Sequence, residues 1–185
     1  HMFLTTEGIF GVPLGVSTNF IYLFVLFGAL LDRAGAGQYF INVAFAFLGR
    51  FRGGPAKASV IASGLSGMVS GSSTANVVTV GTFTIPLMKK AGLTSVKAGA
   101  IEVAAGVNGQ LMPPIMGAAA FIIAEFLGMK YANVMLAAVI PAFVCYASLF
   151  FIVHLESCKL GLEGIKSENR FEKYRILIVG IHYLI

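Results

Sequence analysis

A run of hydroxyl, amide and glycine residues lies inside an otherwise apolar stretch. No Asp, Glu, Lys or Arg occurs between Ala58 and Met88, yet Ser70–Asn76 near its centre reads SGSSTAN. These residue types compete for backbone hydrogen bonds or lower helix propensity, so a regular spanning helix rarely carries them together. A helix broken among them would expose oxygens and backbone dipoles suited to a small ion or a polar solute.

A second interruption follows at 106–114, which reads GVNGQLMPP. No charged residue occurs between Val103 and Ala124, so the segment is suited to a membrane apart from this polar interruption. Proline removes a backbone donor and clashes with the preceding turn, and two prolines after two glycines predict a helix break. We therefore expect one spanning helix split into halves, with its break facing the polar run.

Basic residues flank the uncharged stretch on both sides. Arg50, Arg52 and Lys57 precede it, and Lys89, Lys90 and Lys97 follow it. Lys- and Arg-rich short loops lie in the cytoplasm, so both ends are expected on the same face. A straight helix over 58–88 would be about 46 Å long, beyond a hydrocarbon core of about 30 Å. The pattern predicts a re-entrant helical hairpin. The alternative is a Gly-rich packing helix, because Ser63, Gly67 and Gly71 follow small-xxx-small spacing.

The composition indicates an integral membrane protein. Hydrophobic residues make up 57% of the chain, charged residues only 11%, and the mean hydropathy is +0.87. The net charge of +5 suits cytoplasmic loops against anionic lipid, and nothing points to nucleic acid. No Ser-His-Asp, Cys-His or GxSxG pattern predicts an enzyme or a catalytic residue. Cys145 and Cys158 predict neither a disulfide nor a metal site.

The order of segments predicts an all-α membrane unit in a multi-pass chain. The segment after Gly35 is short and bordered by arginines, which favours a helix along the cytoplasmic interface, with a span as the alternative. The expected divisions are a cloning scar at 1–2, a lead-in and first transmembrane helix at 3–35, an interfacial arm helix at 36–53, the hairpin at 54–92, a broken transmembrane helix at 95–129, a transmembrane helix at 131–155, a cytoplasmic linker at 156–175, and the truncated start of a further helix at 176–185.

Three smaller expectations concern single positions. The lead-in up to Val16 contains several glycines and a proline and is expected to be irregular, with Ser17 or Thr18 capping the next helix. Glu102 follows Lys97 closely, so we expect it at the interface, paired with the neighbouring lysines. The alternative for Glu102 is a functional residue inside the membrane.

The two broken elements resemble those of a known transporter family. MVSGSSTAN at 68–76, followed by Gly81, IP at 85–86 and KKAG at 89–92, resembles the first hairpin of the large membrane subunits of tripartite ATP-independent periplasmic (TRAP) transporters. AAG at 104–106 with MPP at 112–114 is similar to that family's next helix. The resemblance covers roughly 10–156. The segment QLMPPIMGA at 110–118 looks more like fused subunits that work with TAXI-type binding proteins.

The resemblance implies a sodium-coupled, elevator-type importer of organic acid anions in a bacterial or archaeal cytoplasmic membrane. It implies three partners besides the lipid bilayer: a periplasmic substrate-binding protein, the remaining half of the permease, and a small membrane subunit or its fused equivalent. Sodium would be the coupling ion, with no other cofactor or metal. The present chain would be the first of two inverted repeats plus a linker.

Sodium is a hard cation that oxygen ligands hold best. The expected ion-binding residues are Ser70, Ser72, Ser73, Gly106 and Asn108, with Pro113 shaping the break. The outgoing half-helix would meet a carboxylate at its N-terminus. The expected substrate-binding residues are Thr74, Asn76 and Gln110. A passive channel with a re-entrant loop remains the alternative function.

Overall fold

The structure, a computed structural model, describes residues 10–162 and is built from helices. No β-strand occurs in that range, which confirms the all-α prediction for this part of the chain. The predicted scar at 1–2, the start of the lead-in, the linker after 162 and the segment 176–185 lie outside the described residues. The helices are α1 (Val12–Val16), a π-helical turn (Ser17–Ile21), α2 (Tyr22–Ala34), α3 (Ala36–Leu48), α4 (Gly54–Ser70), α5 (Ser73–Lys90), α6 (Ser95–Gly109), α7 (Ala118–Phe126) and α8 (Tyr131–Lys159).

The first helix begins earlier than the sequence suggests. Helical turns run from Val12 through the π-helical turn to Ala34, so the prediction of an irregular lead-in is wrong from Val12 onward. A proline in the first turn is compatible with a helix start, because the backbone donor it lacks has no partner there. The predicted cap is also wrong, since Thr18 lies within the helix and its hydroxyl donates to the carbonyl of Leu14 at 2.9 Å.

The centre of the fold is a helical hairpin formed by α4 and α5. Only Gly71 and Ser72 separate the two helices, which pack against each other and both against α6. Small side chains permit this, because α4 is largely Ala, Gly and Ser on its buried faces. The apolar core joins the hairpin to α6 and α8, and it includes Val60, Met88, Ala98, Ala105, Tyr146 and Val153.

The helix α3 packs along the hairpin from the other side. Ile41 and Ala44 contact a buried cluster that includes Ala58, Ala62 and Val80. The helix is short and apolar, as its sequence indicates. Its place along a membrane interface stays a prediction.

Within residues 10–162, two helical stretches are long and apolar enough to cross a membrane: Leu14–Leu31 and Tyr131–Lys159. The second extends past the predicted boundary at 155, so Glu156 and Lys159 are helical rather than part of a linker. An aromatic stack connects α2, α7 and α8. The Phe121 ring of α7 lies 4.3 Å from the Tyr131 ring of α8 and 5.1 Å from the Phe24 ring of α2. This stack fixes α7 between α2 and α8, and so positions the chain that leads into α7.

Candidate functional site

The hairpin tip places a helix C-terminus beside a helix N-terminus. α4 ends at Ser70, Gly71 adopts a left-handed conformation with φ of 61°, and Ser72 is extended at the start of α5. The Ser72 hydroxyl accepts a hydrogen bond from the Ala75 N–H at 3.4 Å, as an N-cap serine does. The tip therefore carries hydroxyl groups, end-of-helix carbonyls and N–H groups within a few residues.

The break between α6 and α7 lies against this tip. The chain from Gln110 to Gly117 is not helical, and Met116 has a left-handed φ of 57°. A Cβ atom on Gly71 would lie only 2.5 Å from the Met116 carbonyl oxygen, so a larger residue would separate the two segments. Two left-handed residues thus meet where the tip contacts the break, and such conformations concentrate at functional sites.

A cavity of about 510 Å³ opens between the tip, the break and α2. Its polar lining comes from the tip and from Gln110, whereas α2 and α7 supply apolar walls. The lining includes Ser70, Gly71, Ser72, Gln110, Met116 and Phe24. A cavity with apolar walls and a few oriented polar groups is the usual form of a small-ligand site.

The structure does not bring all the predicted ion-binding residues together. Ser70 and Ser72 line the cavity, and the Ser73 hydroxyl accepts a hydrogen bond from Gln110 Nε2 at 3.1 Å. Gly106 lies behind the tip, where an added Cβ would be 3.5 Å from the Ser73 carbonyl oxygen. Asn108 is half-buried in the last turn of α6. Pro113 instead lines a second groove between α4 and α8.

The predicted substrate residues are also separated. Gln110 lines the cavity, and Thr74 is exposed in the first turn of α5. Asn76 is fully buried, and its Nδ2 donates to the carbonyl and the hydroxyl of Ser63 at 2.8 and 3.0 Å. Its Oδ1 has no partner among the described residues, so one oxygen of this side chain stays unsatisfied.

The comparisons with known proteins name the family. The family of the tripartite ATP-independent periplasmic transporter, DctM component, matches residues 5–185. The chain belongs to this family. TRAP permeases are membrane transporter subunits, a class distinct from enzymes.

Curated relatives agree with this assignment. The chain is 30% identical to the uncharacterized protein y4mL of Sinorhizobium fredii over 79% of this chain and 34% of the relative. It is 37% identical to the C4-dicarboxylate TRAP transporter large permease protein DctM of Rhodobacter capsulatus, over 51% of this chain and 21% of that protein. It is 34% identical to the ectoine TRAP transporter large permease protein TeaC of Halomonas elongata, over 51% of this chain and 22% of that protein. The chain thus spans about a third or less of these relatives.

The break in this TRAP permease chain begins later than predicted. Gly106 and Asn108 lie within α6, which continues to Gly109, so the break starts at Gln110 rather than at Gly106. Tertiary packing overrides the low helix propensity of these glycines. A Cβ on Gly67 of α4 would lie 2.7 Å from the Gly109 Cα, so the glycines let the two helix backbones meet.

The prediction for Glu102 is wrong. Its side chain is fully buried between the hairpin and α6, and no lysine among the described residues is paired with it. Lys97 instead pairs with Glu156 of α8. The Glu102 carboxyl group is hydrogen-bonded to the hydroxyl groups of Ser63 on α4 and Thr84 on α5.

A signal for this burial was present in the sequence. Positions 98, 102, 105 and 109 recur at helical spacing and are all Ala or Gly except Glu102. A stripe of small residues marks the close-packed face of a membrane helix. Distance from Lys97 along the chain was therefore a weaker indicator than the face on which Glu102 lies.

Lys57 departs from its expected role as an exposed flanking charge. Its side chain is only 5% exposed, and its ammonium lies 5.7 Å from the centre of the Phe150 ring, in cation–π contact. It lines an apolar groove of about 880 Å³ between α4 and α8, together with Pro113, Tyr146 and His154. This groove contains few polar groups and suits packing more than ion binding.

Proposed function

We propose that this chain contributes half of the transport site of a sodium-coupled TRAP permease that imports organic acid anions across a bacterial or archaeal cytoplasmic membrane. One observation carries the proposal: the hairpin tip and the helix break meet at one cavity lined by hydroxyl and amide groups. Broken helices that meet at such a point form the midplane sites of secondary transporters. The C4-dicarboxylate permease of Rhodobacter capsulatus supports an acidic solute, whereas the relative named for ectoine indicates that the family handles other solutes.

The hairpin is re-entrant in this proposal. At about 1.5 Å per residue, α4 and α5 would each reach about 25–27 Å, less than a hydrocarbon core of about 30 Å. Arg52 and Lys90 lie exposed at the two open ends of the hairpin. Irregular backbone is tolerated at membrane depth only where protein covers it or a wet cavity adjoins it, and Gly71–Ser72 borders the cavity at the tip.

Sodium would be held at the tip by oxygens of Ser70, Ser72 and Ser73. Ser70 and Ser72 line the cavity, and Ser73 is hydrogen-bonded to Gln110, which also lines it. Gly106 and Asn108 would complete the proposed ion set from the α6 side, and Pro113 would shape the break without contacting the ion. The solute carboxylate would meet the N-terminal end of α5 near Thr74 and Gln110. Asn76 would contribute its unsatisfied oxygen only after a movement of α5, because it is buried in this structure.

The rest of the machinery lies in the longer protein that the relatives imply. A second inverted repeat would supply the facing half of the site, and the two repeats would move as an elevator. The QLMPPIMGA segment favours a fused subunit served by a TAXI-type periplasmic binding protein. The short helix α3 would form the arm that joins the moving hairpin to the scaffold helices.

Cysteine labelling tests the re-entrant topology. Single cysteines replace Arg52 and Lys90 in a permease that lacks Cys145 and Cys158, and both should be labelled only from the cytoplasm. Lys57 is unsuitable because it is buried. A cysteine at the exposed Lys130, at the opposite end of the fold, is the control and should be labelled only from the periplasm. Labelling of Arg52→Cys and Lys90→Cys from opposite faces would reject the hairpin.

A sodium titration tests the ion site in the complete permease with its binding protein. Loss of one buried oxygen ligand costs about 1–3 kcal/mol, or roughly 5- to 150-fold in ion affinity. Ser72→Ala, Ser73→Ala and Asn108→Ala should therefore raise the sodium concentration that gives half-maximal uptake.

Ser59→Ala is the matched control for this titration. Its hydroxyl donates to the Pro55 carbonyl inside the first turn of α4, far along the hairpin from the tip. Its sodium dependence should match that of the parent protein. Unchanged sodium dependence in all three tip and break variants, at normal protein levels, would remove these residues from the ion site.

A further inference from the structure

Glu102 lies at the point where α4, α5 and α6 meet. None of its side chain is exposed. Ser63 Oγ donates to its Oε1 at 3.1 Å, and Thr84 Oγ1 lies 2.6 Å from its Oε2. The carboxyl group therefore connects both arms of the hairpin to the helix behind it.

The number of hydrogen-bond donors and acceptors around Thr84 indicates that the Glu102 carboxyl group is protonated. Thr84 Oγ1 lies 3.1 Å from the Val80 carbonyl oxygen as well as 2.6 Å from Glu102 Oε2, but a hydroxyl has one hydrogen to donate. If Glu102 is ionised, both neighbours are acceptors and one contact lacks a hydrogen. A proton on Oε2 resolves this, because Glu102 then donates to Thr84 and Thr84 donates to Val80.

The hydrogen bonds at Oε1, the other oxygen of Glu102, are consistent with a neutral carboxyl group. Ser63 Oγ donates to Glu102 Oε1 and accepts from Asn76 Nδ2 at 3.0 Å, so its hydrogen bonds are satisfied without a charge on Glu102. A carbonyl-like Oε1 and a protonated Oε2 give every contact in this network one donor and one acceptor.

No neighbouring cation compensates a charge on Glu102 within residues 10–162. On α4, Lys57 contacts the Phe150 ring, and on α5 the two lysines lie exposed at the helix end. On α6, Lys97 pairs with Glu156 of α8. The Tyr146 hydroxyl of α8 donates to the Ala105 carbonyl, and His154 of α8 lines the groove on the other side. Buried charges in proteins are normally paired or bind a metal, so an unpaired carboxylate here would be costly.

We propose that Glu102 is a proton-binding site of the permease, and that the bound proton holds α6 against the hairpin. Removal of the proton would place an unpaired charge between three helices and leave Thr84 with two acceptors. The packing of the hairpin on α6 should then weaken as the pH rises. This site lies apart from the cavity at the tip, and the proposal depends on neither sodium coupling nor the identity of the solute.

Infrared spectroscopy of the purified permease detects the proton directly. A protonated carboxyl group has a carbonyl stretch at a higher frequency than the amide bands, and a carboxylate does not. We expect such a band in the parent protein and its loss in Glu102→Gln. Glu125→Gln is the matched control, since Glu125 is exposed at the end of α7, and this variant should keep the band.

Two infrared outcomes would overturn the proposal. One is a parent-minus-variant spectrum for Glu102 that contains only carboxylate bands. The other is a set of carboxylate bands that shift on addition of sodium, which would make Glu102 a cation ligand. The measurement needs no transport, so a failure of sodium-coupled uptake would leave its result unaffected.

A pH series of thermal unfolding tests the effect on the fold. The unfolding midpoint of the parent permease should fall as the pH rises above the ordinary titration range of a carboxyl group, because the unfolded chain releases this proton first. The fall should level off once folded Glu102 has also lost its proton. Glu102→Gln should lack this fall, since its amide can donate to Thr84 at every pH while its carbonyl accepts from Ser63. A fall of the same size and in the same pH range in Glu102→Gln, whatever the variant's overall loss of stability, would overturn the proposal.

Discussion

The interior of the hairpin and its tip use the same residue types in different ways. In the interior, Ser63, Asn76 and Thr84 are fully buried. Asn76 is hydrogen-bonded to Ser63, and Ser63 and Thr84 are both hydrogen-bonded to Glu102. At the tip, the bonds of Ser70 and Ser72 are long, at 3.5 and 3.4 Å, and both residues border a cavity. Interior polar groups thus join helices, whereas tip groups keep oxygens available.

The difference follows from the backbone around each group. In the interior, regular helices satisfy the backbone, so a buried side chain must find a partner on another helix. At the tip, two helix ends leave carbonyl and N–H groups with incomplete bonding. In this hairpin, polar residues at the helix ends are therefore the stronger candidate ligands, and buried Asn76 would need a movement of α5 to become one.

Loss of Ser63 should have the largest effect on stability. Ser63→Ala leaves Glu102 Oε1 and one Asn76 hydrogen without the hydroxyl partner, and each unmet buried group costs about 1–3 kcal/mol. We expect the unfolding free energy of the permease in mixed detergent micelles to fall by at least about 2 kcal/mol.

Ser59→Ala is the control for this comparison, because its hydroxyl bonds only within its own helix. It should change the unfolding free energy by less than about 1 kcal/mol. Equal effects of Ser63→Ala and Ser59→Ala would show that the interior network does not join the helices.

The close approach of α4 and α6 predicts that a larger side chain at their contact lowers the unfolding free energy, by less than the loss of Ser63 does. A Cβ at Gly67 would lie 2.7 Å from the Gly109 Cα, so Gly67→Ala forces the backbones apart and should cost about 1–3 kcal/mol. The matched variant is Gly99→Ala on α6, where a Cβ meets nothing within 4 Å. Its better helix propensity should leave stability unchanged or raise it by up to about 1 kcal/mol. Similar losses in both variants, measured by unfolding in the same micelles, would contradict the packing account.

At the tip, we expect a substitution to change the affinity for sodium more than the stability of the fold. Ser72→Ala removes a long capping bond at the edge of a cavity, so its main effect should be on the sodium concentration needed for uptake. A large loss of stability in Ser72→Ala without a change in sodium dependence would assign the tip to packing, as in the interior.

Much of the helical framework could be predicted from the sequence. The glycine and serine run located the end of α4 and the start of α5, because only such residues suit a turn with a left-handed Gly71. The paired prolines located the break before α7. The start of that break was misplaced, since Gly106 and Gly109 serve close packing against α4 rather than ending α6.

The sequence by itself determined the membrane character, the family and the order of helices, because hydropathy, proline and glycine act locally along the chain. Only the tertiary structure decided which polar residues meet. It joined Glu102 to Ser63 and Thr84, turned Lys57 toward an aromatic ring, and separated buried Asn76 from Ser72 at the cavity. The physical reason is that a buried polar group takes the partner that another helix presents to it, and that helix is distant in sequence.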